Sequence, residues 1–132
     1  MYEPIRTKSV HSPADDADFP HRSREEELDI QLAGHLSALL ALTDELGDGE
    51  AAEALARQLT RLRGAAPLRQ PGSDNDPVDP EALHRRALAV AGRALVVAAS
   101  RADTAAAILA AERMDAHTAA LHSGAQPLVG AH

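Results

Sequence analysis

Leu28, Leu32, Leu36, Leu39, Thr43 and Leu46 recur at three- and four-residue steps. That spacing lays one apolar stripe along an α-helix and cannot line one face of a strand, where same-face neighbours stand two residues apart. The pattern returns as Ala52, Leu55, Leu59 and Leu62, and again as Leu83, Ala87, Ala91, Ala94 and Ala98. Composition points the same way. There is no Trp, one Tyr and one Phe, whereas a pleated sheet is normally covered by aromatic and β-branched side chains. Ala and Leu are strong helix formers because Ala freezes no rotamers and Leu loses few. An all-α protein is expected.

Local signals predict where the helices begin and end. Ser23 with Glu26 three residues later forms a capping box, and Glu25, Glu26 and Glu27 follow in a first turn where the helix dipole favours acids. Gly47 suits the left-handed residue that closes such a helix. A second helix follows at once over about 50–64, and so short a link makes the pair an antiparallel hairpin. Asp79 as N-cap, with Pro80 at the first helical position, starts a third helix firmly. From there helical character runs to about 122. Ser100 and Asp103 stand at capping-box spacing and Arg101 interrupts the apolar stripe, so two helices are favoured over a single long one. The expectation is an antiparallel bundle of four helices, at about 23–46, 50–64, 80–100 and 103–122, running up-down-up-down. One continuous helix over the last two spans is the alternative.

Three segments carry little bulky apolar material. Residues 1–22 contain Pro4, Pro13 and Pro20 and read as a flexible tail, with residues 2–6, or Ser9 and Ser12, as its candidate docking or modification positions. Residues 64–79 form a Pro/Gly/Asp-rich loop within the bundle of 23–123, and connections of that length are functional or loosely ordered. Residues 124–132 read as a second flexible tail.

The net charge is −7, which disfavours general binding to phosphate backbones. The charge is uneven: residues 1–47 hold ten acids against four bases, and residues 57–93 hold seven arginines against four acids. No cysteine is present, so disulfides, thiolate metal sites and thiol nucleophiles are excluded. No apolar run resembles a signal peptide or a membrane span, and the expected setting is the cytoplasm.

Chemistry-bearing constellations are sparse. Glu81 and His84 have the E-x-x-H spacing of di-metal bundles, but that site needs a second copy and two more carboxylates, which the chain lacks. Asp74-Asn75-Asp76 opens like a calcium loop, yet Asp79 and Arg85 occupy the positions of the required Gly and Glu. Asp115, His117 and His122 have no Ser or Cys placed for activation. His35 sits among the leucines of the first stripe and is the candidate buried polar residue. Arg57, Arg61, Arg63, Arg69, Arg85, Arg86 and Arg93 are the candidate interaction residues, able to converge on one end of the bundle. Ala91, Ala94 and Ala98 let helices approach closely but bury little area each, which favours pairing with a second copy. The function expected is a small non-enzymatic interaction or regulatory protein, self-associating as a homodimer and with a protein partner, and with no cofactor. The alternatives are a metal or small-ligand binding protein using the bundle interior through His35, Glu81 and His84, or an accessory protein touching nucleic acid through the arginines.

Overall fold

The computed structural model describes the backbone of residues 13–69 and 76–125 and the side chains of 23–69 and 76–124. Residues 2–6, Ser9, Ser12, Asp74, Asn75 and most of the expected C-terminal tail lie outside the described residues. Four helices make up the fold: α1 (Pro13–Leu46), α2 (Gly49–Arg63), α3 (Pro80–Ser100) and α4 (Thr104–Ala125). Among the described residues there is no strand, and no helix is long and apolar enough to cross a membrane. The all-α helical bundle is the fold.

The predicted stripes become the core. Leu32, Leu36, Leu39 and Thr43 of α1, Ala52, Leu55 and Leu59 of α2, and Leu83, Ala87, Ala91, Ala94 and Ala98 of α3 are all buried. Ala106, Leu109 and Ala110 complete the core from α4. Thr43 is tolerated there because its hydroxyl donates to the Leu39 carbonyl at 2.7 Å, so no polar atom is stranded.

Capping explains the breaks. Gly47 has φ 83°, donates to Asp44 O at 3.1 Å and is followed by an Asp48 N–H that reaches Thr43 O at 3.3 Å. These are the two bonds of a Schellman motif. Asp48 then caps α2, accepting from Ala51 N–H at 3.2 Å, and Gly64 closes α2 with φ 77°. Asp79 and Pro80 open α3 as predicted, with Asp79 accepting from Ala82 N–H at 3.1 Å.

Residues 80–122 are two helices, and the break lacks the glycine such turns favour. Ala102 takes φ 57°, while Ala102 N–H reaches Ala99 O at 3.0 Å and Asp103 N–H reaches Ala98 O at 2.8 Å, a second Schellman closure. Asp103, rather than Ser100, is the N-cap of α4, accepting from Ala106 N–H at 3.2 Å. The Ser100 hydroxyl is turned back onto Val96 O at 2.9 Å. The start of α1 also differs from expectation. It lies at Pro13, taking in part of the segment read as tail, and Ser23 sits inside the helix instead of capping it. Pro13 occupies the first helical position, where its fixed φ is an advantage and its missing N–H costs nothing.

The helix directions differ from up-down-up-down. α1 packs on α2 and α3, and α4 packs on α3 and α2, which leaves α2 and α3 diagonal to each other. Ser37 shares a hollow with Leu59 and Arg63, Glu45 shares one with Arg86, and Arg61 meets Asp103. Each neighbouring pair therefore runs antiparallel, and the order is up-down-down-up. The long 64–79 connection follows from this. Because α2 and α3 point the same way, the chain must return along α2, which is about 22 Å long, before α3 can start. Arg69 pins that return, donating to Asp44 at 2.7 Å and to Glu53 at 3.1 Å. These bonds hold its guanidinium above the ordinary arginine pKa, the Asp44 contact contributing most.

Candidate functional site

Three features stand out once the bundle is assembled. The first is a polar group inside it. The expected buried histidine was His35, but that side chain is only half-buried, because it lies at the edge of the α1 stripe, towards α3. The buried histidine is His117, 2 % exposed. It extends the α4 stripe of Ala106, Ala110 and Arg113 by one further turn, a register visible in the sequence that the expected roles for Asp115, His117 and His122 passed over. Its Nδ1 lies 2.9 Å from Nδ1 of His84 on α3, with ring centroids 5.1 Å apart. One ring must donate and the other accept, so only one proton fits between the two nitrogens.

Around His117 burial and the neighbouring charges work against protonation. Arg113 stands one turn before His117, and its guanidinium reaches the Asp48 carboxylate at 3.5 Å. His117 Nε2 and Arg113 Nε are both buried without a hydrogen-bond partner. Burial, then the nearby Arg113 and His84, push the His117 pKa down to about 4, with Asp48 opposing weakly. His117 is therefore a neutral core residue at ordinary pH. Elsewhere in the bundle the hydroxyls of Thr43, Thr60 and Ser100 donate to backbone carbonyls one turn back. Glu81, at E-x-x-H spacing from His84, bonds Arg85 at 2.6 Å. Among the described residues no group of three or more His, Asp or Glu is gathered to hold a metal.

The second feature is the arginine set, which does not converge on one end. α2 finishes and α3 starts at opposite ends of the bundle, so Arg61 and Arg63 lie at the end away from Arg85 and Arg86, with Arg57 midway along α2. Several are already engaged: Arg61 with Asp103 at 3.0 Å, Arg69 with Asp44 and Glu53, and Arg85 with Glu81. Arg63 edges the hollow beside Pro67 and Leu68. Arg86 and Arg93 line a different groove, between α1 and α3, of about 410 Å³. Arg101, which sequence reasoning used only as a break in a stripe, joins the α3–α4 turn to α1 by reaching Asp29 at 3.5 Å and Asp103 at 3.4 Å. In Asp103 burial works against the charged form, yet the bonds from Arg61 and Ala106 N–H, with the charge of Arg101, hold its carboxyl below the usual value.

The third feature is an apolar hollow of about 280 Å³ on the outer side of the α3–α4 corner, where Ala99, Ala102, Ala107, Ile108 and Ala111 surround the Asp103–Thr104 helix start. Ile108 is 54 % exposed and Val96, on the last turns of α3, is 65 % exposed. Comparison with protein-family models, curated proteins and solved structures finds no match to this chain.

Proposed function

We propose that this chain is a small non-enzymatic bundle that works by binding proteins, copies of itself included, in a cytoplasmic setting. The observation that supports it is the mostly apolar hollow at the α3–α4 corner. Exposed apolar patches can mark contact surfaces, and this one is a hollow with a half-exposed Ile108 in its wall. Such a surface can pair with itself about a two-fold axis, the Ile108 of each copy packing against the hollow of the other. The small alanines around the hollow admit a close approach of helices. Pairing there adds apolar burial to a core in which alanine occupies many of the positions.

Light scattering and sedimentation equilibrium test this. The wild-type chain is expected to be a dimer at tens of micromolar, and Ile108→Asp a folded monomer, because the new carboxylate would be buried without a partner. A wild-type chain that remains monomeric at that concentration overturns self-association through this face.

A further inference from the structure

We propose that the groove between α1 and α3 binds an acidic amphipathic helix of a partner protein, two of whose carboxylates seat on Arg86 and Arg93. The groove is distinct from the α3–α4 hollow, and the two can fail separately. Its apolar lining is Ala38, Ala41 and the buried Leu42 from α1, with Ala89 and Val90 from α3. The exposed alanines on both sides let a third helix lie against the other two at short interaxial distance.

Charge then selects the occupant. Arg86 and Arg93 stand two turns apart on α3, about 10 Å along its axis, and both are exposed. Neither makes an ion pair among the described residues. Glu45 on the opposite wall balances one of the two charges and leaves the groove positive within a chain of net charge −7. A partner helix with Glu or Asp at positions i and i+7 presents carboxylates at the matching distance, and its alanine- or leucine-lined face meets the floor. A long nucleic acid is a poorer fit. It would bring many phosphates against the acidic remainder of the chain for the sake of two arginines.

Fluorescence anisotropy with a labelled, designed helical peptide carrying an Ala/Leu face and glutamates at i and i+7 provides the test. The full chain is expected to bind it saturably at low salt. Binding should weaken at least about tenfold for the Arg86→Glu/Arg93→Glu double variant and for a peptide with lysines in place of the glutamates. Ala41→Trp, which fills the floor without altering charge, should weaken it as well, and circular dichroism shows whether each variant is folded. The proposal is overturned by absence of saturable binding or by folded variants that bind like wild type. Equal competition from random duplex DNA also overturns it. So does conversion of a wild-type dimer to monomer by the double variant in light scattering, which would assign the groove to a second copy of this chain.

Discussion

Replacing His117 by leucine should remove most of the acid sensitivity of the fold between pH 6.5 and 4. His117 is buried, and its pKa is pushed down from 6.5 to about 4 by burial, by Arg113 and by His84. In the unfolded chain the same imidazole takes up its proton near 6.5. Between these values the unfolded state binds more protons than the folded one, so stability falls as pH falls. The contribution is complete above pH 6.5 and lost by about pH 4. With 1.36 kcal/mol for each pH unit, the 2.5-unit gap amounts to a loss of about 3 kcal/mol, a large share of the stability of a small domain. Leucine has similar bulk, takes no proton and strands no nitrogen, whereas His117 leaves Nε2 without a partner. His84 is only part-buried and can turn its Nδ1 to water. Urea denaturation followed by circular dichroism at pH 7, 5.5 and 4.5 measures both proteins. The wild type should lose stability steadily across the series, while His117→Leu should match or exceed it at pH 7 and lose much less towards pH 4.5. Parallel pH dependences for the two proteins would refute the placement of His117 in the core.

Two further substitutions probe the α3–α4 turn. Ala102→Gly should stabilise the fold by about 0.5–1 kcal/mol, since Ala102 holds φ 57° and the left-handed conformation costs an L-residue more than glycine, even after the added freedom of the unfolded glycine chain; a lower melting temperature would show that this turn is not left-handed. Asp103→Ala should cost about 1–2 kcal/mol through loss of the α4 cap, and Arg61→Ala less than about 1 kcal/mol because that arginine is 46 % exposed. The Asp103 contribution should persist above pH 3.8 and disappear as pH falls below it, because its carboxyl is held below that value. Equal costs for the two variants would mean that the cap contributes nothing beyond the ion pair.

Helix signals act over a single turn, and for that reason much of the bundle could be read along the chain. The pairing of Asp79 with Pro80 located the start of α3, and Gly47 the end of α1, since a cap needs only the adjacent backbone N–H groups and carbonyls. The leucine and alanine stripes named the core for the same reason: a face is defined by spacing. Ser23 shows the limit. Its capping box is a sound local pattern, but a cap is used only if the chain before it leaves the helix, and here the helix begins at Pro13. Ala102 shows another limit. An alanine in left-handed conformation has no sequence signature and is held by the Schellman bonds and by Asp103, which serves as α4 cap and Arg61 partner together.

The amino-acid order by itself determined the helical class, the apolar stripes, the tight α1–α2 hairpin and the acidic surface, all of which depend on residues within a few positions of one another. Tertiary structure decided the rest. It set α2 and α3 parallel across a diagonal, turned 64–79 into a return path tied down by Arg69, dispersed the arginines so that only Arg86 and Arg93 share the α1–α3 groove, and buried His117 against His84 in place of His35. These outcomes turn on which stripe meets which, a choice made by the joint burial of surfaces far apart in the chain. No spacing within one helix records that choice.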